Sequence, residues 1–155
     1  MIRILGSALL AALFALSPAH ASDDTSPEAI PPTTDVSGLP PLGPEWHDSN
    51  PYRGNAAVLD TGRALYNEAC ARCHGVDANN RNHVGPNLLR LQRGCKKVTE
   101  PELKPRCEAD VDHYFAKTVR QGKRVLDIQH MPAWEGVLGQ EAVWAIRSFV
   151  ESRSR

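Results

Sequence analysis

Five consecutive residues, Cys70-Ala71-Arg72-Cys73-His74, constrain this chain more than any other feature of its sequence. In a Cys-x-x-Cys-His sequence, the two thiols can bond to the vinyl groups of a haem while the adjacent histidine binds the iron. A thioredoxin-like redox pair would need a βαβ context, and a zinc site would need a second Cys-x-x-Cys. The other two cysteines, Cys95 and Cys107, are separated by eleven residues. The motif therefore predicts one covalently bound haem c.

The first 21 residues have the features of a secretory signal peptide. Arg3 gives a positive start, residues 5–16 form a short apolar run, and Ala19-His20-Ala21 supplies the small residues that a signal peptidase recognises. The run is shorter than the roughly 20 apolar residues that span a bilayer, which argues against an uncleaved membrane anchor. We therefore expect cleavage after Ala21 and an exported mature chain without a membrane span.

Acidic residues and prolines are concentrated between the predicted cleavage site and the haem motif. Residues 22–60 contain seven acidic residues, seven prolines and one basic residue, whereas the chain from residue 61 onward has 16 basic and 11 acidic residues. Proline fixes φ and removes a hydrogen-bond donor, so we expect residues 22–45 to be an extended or disordered acidic extension. Apolar groups begin again at Trp46, and residues 46–155 are long enough for one small domain. Two explanations of this uneven charge stay open: the acidic segment is a solvated tail, or it helps to select the binding partner.

Hydrophobic periodicity predicts an all-α domain in which helices are joined by long loops. The predicted helices cover residues 60–69, 110–121 and 140–151, with Asp60 or Thr61 capping the first and Gly122 ending the second. The first of these helices runs directly into the haem motif. We expect the aromatic residues of the last helix to lie in the core. In a small haem domain, the core residues are largely the same residues that line the haem pocket.

Several motifs around these helices point to one family. Gly62 and Tyr66 lie on one face of the first predicted helix, and Phe149 lies in the last one. The haem motif is followed by Gly85-Pro86-Asn87-Leu88, and Met131-Pro132 stands in a later segment. In this combination the chain resembles class I c-type cytochromes from Asp60 to Val150. The resemblance implies the class I cytochrome c fold, in which the N-terminal helix crosses the C-terminal helix and one haem lies among helices and loops.

The resemblance also implies a set of haem ligands. His74 and Met131 would be the axial ligands, and the Pro86 carbonyl would accept a hydrogen bond from the other ring nitrogen of His74. Met131 is the only methionine that remains after removal of the signal peptide. Ligation by a second histidine stays open as an alternative, with His83, His113 and His130 as the candidates. Two strong axial ligands leave no site for a substrate, so we expect an electron-transfer protein and not an enzyme.

Two short segments suggest a narrower resemblance. Residues 50–55, Asn-Pro-Tyr-Arg-Gly-Asn, and residues 131–138 are similar to segments of the cytochromes that accept electrons from pyrroloquinoline-quinone-dependent alcohol dehydrogenases. Bacterial members of the class receive their haem after export, so the resemblance implies a periplasmic one-electron carrier. Its donor would be a periplasmic dehydrogenase, and its acceptor an oxidase or another cytochrome. The alternatives are a permanent haem c subunit of a larger oxidoreductase and, more distantly, a ligand-binding haem sensor.

The second pair of cysteines is expected to be structural. In an oxidising compartment, Cys95 and Cys107 are most simply joined in a disulfide, although a redox-active or metal-binding pair stays open. Basic residues are frequent in and after the loop that this disulfide would close, namely Lys96, Lys97, Lys104, Arg106, Arg120, Lys123 and Arg124. We expect these residues to form a docking patch for an acidic partner around an exposed haem edge.

Overall fold

The computed structural model describes residues 26–154, so the predicted signal peptide, residues 1–21, lies outside the described residues. The regular elements are α1 (Leu59–Ala69), α2 (Ala71–His74), α3 (Leu103–Gln121), β1 (Lys123–Val125), β2 (Ile128–Met131) and α4 (Gln140–Arg153). Single-turn 3₁₀ helices cover Ala56–Val58, Val76–Ala78, Leu88–Arg90 and Cys95–Lys97. Helices predominate, as the sequence predicts. None of the helices in residues 26–154 has the length and apolar character needed to cross a membrane.

The crossing of α1 and α4 forms the centre of the fold. Gly62 permits this crossing, because a Cβ atom at this position would lie 2.2 Å from the carbonyl oxygen of Ala145 on α4. One turn further along α1, the Tyr66 ring packs against Phe149 with 5.4 Å between the ring centroids. The glycine and the aromatic pair that the sequence places on these two helices therefore meet, as in the class I cytochrome fold.

Helix α3 begins earlier than its hydrophobic periodicity predicts. The periodic apolar positions start near residue 110, but the helix starts at Leu103. Its first two turns are exposed or half-buried, so they carry no buried stripe to mark them in the sequence. Pro105 is tolerated in the first turn, where backbone N–H groups have no intrahelical acceptor. A disulfide between Cys95 and Cys107 fixes this part of α3 to the preceding segment.

A short β-hairpin stands where the sequence predicts only a loop. Strands β1 and β2 are antiparallel, with Val125 paired to Ile128. The two turn residues, Leu126 and Asp127, have φ angles of 49° and 61°. Such a turn normally carries Asn-Gly or Asp-Gly, and the Leu-Asp pair therefore gives no recognisable hairpin signal in the sequence. Met131 consequently lies at the end of a strand and not in an irregular loop.

Residues 26–45 contain no helix or strand, and they pack along the domain. The Leu39 side chain is buried, and Ala29 and Leu42 lie against the same core. The Tyr52 hydroxyl donates a hydrogen bond to the Pro40 carbonyl. Glu68 on α1 accepts hydrogen bonds from Thr33 and Thr34. The packing of the chain onto the domain therefore begins well before Trp46, because hydrogen bonds and apolar contacts hold an extended segment that has no periodic pattern of its own.

A buried charge network joins residues 50–53, the segment just before α1, to helices α3 and α4. The carboxylate of Asp112 on α3 accepts hydrogen bonds from the Asn50 backbone at 2.9 Å and from the Arg53 guanidinium at 2.8 Å. On its other side, Arg147 of α4 donates to Asp112 at 2.9 Å, and both side chains are 0% exposed. Arg53 also donates to Glu151 of α4 at 2.9 Å. Removal of one partner from such a network leaves a buried charge without compensation, so residues 50–53 are fixed in place.

We predict that Gly62→Ala destabilises the protein by about 1–3 kcal/mol or more, because the added methyl group must push backbone against backbone at the crossing. Chemical denaturation of the purified holoprotein would measure this loss. Gly94→Ala is the matched control, since Gly94 has helical φ and ψ and no atom within 4 Å of the added methyl group. Equal free energies of unfolding for Gly62→Ala and the wild type would contradict the role assigned to the crossing.

Candidate haem-attachment site

The end of α1 and the single turn of α2 present the Cys-x-x-Cys-His side chains together. The Cys70 N–H donates to the Tyr66 carbonyl at 2.8 Å, so the motif continues directly from α1. The His74 N–H donates to the Cys70 carbonyl at 3.0 Å, which closes one helical turn. Residues three and four positions apart lie on one face of a helix, so Cys70, Cys73 and His74 share a face. Neither of these cysteines is in a disulfide.

The environment of Cys70 differs from that of a redox-active thiol. Burial raises the pKa of Cys70 to about 12, and the neighbouring Cys73 adds to this effect. Redox-active cysteines in Cys-x-x-Cys motifs have lowered pKa values, because the thiolate is the reactive form. The raised pKa of Cys70 is thus unlike that of a redox-active cysteine.

His74 is held in the orientation that an axial ligand needs. Its side chain is 9% exposed, and Nδ1 lies 2.9 Å from the Pro86 carbonyl oxygen. A carbonyl only accepts hydrogen bonds, so Nδ1 carries the proton and Nε2 keeps a free lone pair. Burial lowers the pKa of His74, and the hydrogen bond to Pro86 opposes this effect without reversing it. The neutral imidazole that an iron ligand requires is thus favoured.

The Gly-Pro loop is fixed against the haem motif. The Gly85 N–H donates to the Cys73 carbonyl at 2.8 Å, and the Asn80 side chain donates to the Gly85 carbonyl at 2.8 Å. A Cβ atom at Gly85 would lie 2.7 Å from Nδ1 of His74, so only glycine fits between the loop and the imidazole. Sequence analysis did not identify Asn80, because its role depends on a contact across a loop and no motif marks it.

The segment after His74 is also tied back to α1. Asp77 accepts hydrogen bonds from Arg63 at 2.6 and 2.7 Å and from the Asn67 amide at 2.8 Å. These donors lower the pKa of Asp77, with the Arg63 hydrogen bonds as the largest cause. Since Arg63 and Asp77 are 14 positions apart, nothing in the sequence identified this pair. The interaction fixes the chain as it leaves the haem motif.

Met131 lies in a different part of the fold from the Cys-x-x-Cys-His turn, at the end of β2. It is half-buried against the core, and its carbonyl group passes so close to Gly122 that a Cβ atom there would lie 2.5 Å from it. The Trp134 N–H donates to the Val119 carbonyl at 3.0 Å, which holds the segment after Met131 on the end of α3. The methionine is therefore positioned by α3 and the hairpin, whereas His74 is positioned by α2 and the Gly-Pro loop.

The surroundings of the other histidines favour Met131 as the second ligand. His130 precedes Met131 in β2, and neighbouring residues of a strand point to opposite faces. His130 is exposed, whereas Met131 is half-buried against the core. His83 is exposed, and the side chain of His113 is 62% exposed and lies 3.9 Å from Asp48. In the described part of the chain, the methionine thus has the more suitable environment.

The predicted basic docking patch is divided among different surroundings. Arg120 donates to Glu135 at 2.5 Å, and its guanidinium lies 4.4 Å from the centre of the Trp46 ring. Arg124 donates to the backbone carbonyl of Asp127 in the hairpin turn. Lys96 lies instead beside a cavity at the far end of α4. Arg120 and Arg124 therefore support the local fold. The sequence alone does not show which basic residues have such partners and which have none.

The residues present fit a covalently bound haem. Two free cysteines and an oriented neutral imidazole share one helical turn, and Cys70 and the half-buried Met131 each pack against the apolar core. Cys70 and Cys73 would hold the macrocycle, while His74 and Met131 would supply ligands to the iron. A haem held in this way would supply a ferric–ferrous couple.

We predict that Gly85→Ala raises the reduction potential. The added methyl group would displace the His74 ring and weaken its hydrogen bond to Pro86, which makes the imidazole less basic toward iron. Potentiometric titration of the holoprotein measures the change. Gly38→Ala, where no atom lies within 4 Å of the new methyl group, is the control. An unchanged potential in Gly85→Ala would show that the close contact does not influence the ligand.

Comparison with known proteins agrees with this chemistry. Residues 57–150 match the family described as "Cytochrome C oxidase, cbb3-type, subunit III". The chain is 36% identical over 151 residues to cytochrome c550 of Pseudomonas aeruginosa, and the match covers 95% of this chain and 91% of that protein. No solved structure matches the chain significantly. The chain therefore belongs to the class I c-type cytochromes, electron-transfer proteins that carry covalently bound haem c.

Proposed function

We propose that this protein is a periplasmic one-electron carrier with a single haem c, ligated by Nε2 of His74 and the sulfur of Met131. The orientation of His74 is the main support. The Pro86 carbonyl occupies Nδ1, so that Nε2 is the nitrogen left for the metal. When bound, the haem supplies a ferric–ferrous couple. The protein supplies the ligands, holds them in place and limits their movement as the charge of the iron changes.

We propose a quinoprotein alcohol dehydrogenase as the donor, and an oxidase or another cytochrome as the acceptor. The similarity of residues 50–55 and 131–138 to segments of known acceptors of such dehydrogenases supports this donor. In the first of these segments, Asn50 and Tyr52 are buried and Arg53 binds Asp112, so much of the segment serves the fold of the domain. The support for the donor therefore comes mainly from residues 131–138, a segment that begins with the proposed methionine ligand.

A permanent haem c subunit of a larger oxidoreductase is the second candidate. It is favoured by the matched family, whose description is that of an oxidase subunit. Under this alternative, the N-terminal extension would lie in an interface with another subunit. Residues 29–42 instead contact α1, α4 and the core of their own chain, which leaves less of the extension for a partner.

We predict that Met131→His keeps the covalent haem but lowers the reduction potential, because a thioether stabilises ferrous iron relative to a second imidazole. Axial ligands are among the main controls over a range of about 0.8 V. The ferric wild type should also show the weak thioether charge-transfer absorption at the red end of the spectrum, and Met131→His should lose it. The control is His130→Gln, an exposed neighbour in the same strand. Absence of the band from the ferric wild type, together with a potential that changes in His130→Gln but not in Met131→His, would assign the ligand to His130.

We predict that a purified quinoprotein alcohol dehydrogenase reduces the ferric protein in a bimolecular reaction. Because a diffusible carrier must meet its donor in solution, the observed rate in stopped-flow experiments should rise linearly with the concentration of the dehydrogenase. Native size-exclusion chromatography of periplasmic extract should show the haem protein as a free species. Co-elution of all the haem protein with other subunits, together with no reduction by the dehydrogenase, would support the permanent-subunit alternative instead.

A further inference from the structure

Residues 88–97 place three cations on one side of the chain. The segment winds through successive tight turns, with the Leu91 N–H donating to the Leu88 carbonyl and the Arg93 N–H to the Arg90 carbonyl, both at 3.1 Å. Side chains three positions apart are eclipsed in such turns. The basic residues of this segment recur at that interval, as Arg90, Arg93 and Lys96. The repeat therefore gathers positive charge on a single face.

A fourth cation completes this group from the end of α4. Arg90, Arg93, Lys96 and Arg153 line a cavity of about 400 Å³, together with Leu89 and Ser154. Among the described residues, 26–154, the lining thus contributes four cations and no side-chain carboxylate. We refer to it as the four-cation cavity.

These four cations differ from four other arginines of the chain, which are paired with carboxylates. Arg53, Arg63, Arg120 and Arg147 each form an ion pair with a carboxylate. Within residues 26–154, none of the cations of the four-cation cavity forms a salt bridge of this kind. The positive charge of Arg153 is the smallest of the causes that lower the pKa of Asp77, and Asp77 is already hydrogen-bonded to Arg63 and Asn67. Four exposed cations thus line one cavity, and an anion bound there would be attracted by all of them.

We propose that the four-cation cavity binds a multiply charged oxyanion. Guanidinium groups suit this class of ligand because their planar N–H groups match the oxygens of phosphates and carboxylates, and the lysine adds a point charge. A monovalent ion would neutralise one cation in four, whereas a pyrophosphate or a polycarboxylate would engage several together. The same chemistry is available from a free anion or from the phosphates of a lipid headgroup.

The disulfide fixes one side of the four-cation cavity. Cys95 precedes Lys96 and is bonded to Cys107 on α3, and Arg90 and Arg93 lie in the turns just before it. A preorganised set of donors binds more tightly than a mobile one, because less side-chain and backbone freedom is lost on binding. The disulfide therefore has a role in ligand affinity in addition to its effect on stability.

The four-cation cavity lies at the C-terminal end of α4 and the proposed methionine ligand precedes its N-terminal end in the chain. Met131 lies before the N-terminus of α4, whereas Arg153 is the last residue of this helix of 14 residues. A helix of that length spans about 21 Å. The anion site can therefore be tested by binding alone, and its outcome does not depend on the proposed redox partners.

The test is isothermal titration of the mature holoprotein with inorganic pyrophosphate at constant ionic strength. We expect saturable binding with one anion per protein, and a Kd that rises about tenfold in Arg90→Gln and in Arg93→Gln, since each loses a charge-assisted hydrogen bond. Lys97→Gln is the matched control, because Lys97 lies in the same 3₁₀ turn as Lys96 but does not line the cavity. Equal weakening by Lys97→Gln, or the absence of saturable binding to both pyrophosphate and anionic vesicles, would overturn the proposal.

Co-sedimentation with phosphatidylglycerol vesicles distinguishes the two sources of the anion. Vesicle binding that is lost in Arg93→Gln and kept in Lys97→Gln would support the site with a lipid headgroup as its ligand. Saturable pyrophosphate binding without such vesicle binding would support the site with a free anion as its ligand. The double variant Cys95→Ser/Cys107→Ser should bind the successful ligand more weakly than the wild type, provided that its visible haem spectrum shows an intact holoprotein. Unchanged affinity there would remove the role assigned to the disulfide.

Discussion

The close contact between α1 and α4 at Gly62 is the constraint on which the haem site depends. Because α1 passes directly into the Cys-x-x-Cys-His turn, the angle and height at which it crosses α4 decide where the imidazole of His74 lies. The same helix α4 contacts the 3₁₀ turn Leu88–Arg90, which follows the Gly-Pro loop. One backbone contact therefore positions both His74, the proposed haem ligand, and the loop that orients its ring.

Charged groups support this arrangement from the opposite side of α4. A buried ion pair is not by itself a strong source of stability, because desolvation of the charges offsets much of their attraction. Asp112 instead provides specificity, since its oxygens accept bonds from the backbone of Asn50 and from Arg53 and Arg147, three groups distant in sequence. This geometry fixes the segment before α1 and the docking of α3 on α4. The position of α3 in turn determines the position of Met131, because the chain on both sides of this residue is held against the end of α3.

The two proposed axial ligands are thus held by different means. The His74 ring is oriented by a backbone carbonyl in a loop where only glycine fits beside it. Met131 is carried by a hairpin and by the main chain around Trp134, which is bonded to the end of α3. Side chains held in this way would move little if a bound metal gained or lost one electron, which is the property that electron transfer requires.

The sequence by itself determined the haem motif, the Gly-Pro loop, the helical fold class and the faces of α1 and α4, because all of these depend on spacings of a few residues. Tertiary structure decided the early start of α3, the hairpin before Met131 and the path of residues 26–45. It also decided which basic residues are paired and which gather in the four-cation cavity. The reason is physical. Local patterns record the period of a helix, whereas hydrogen bonds such as that from the Leu42 N–H to Glu141 join residues 99 positions apart and exist only once the chain has folded.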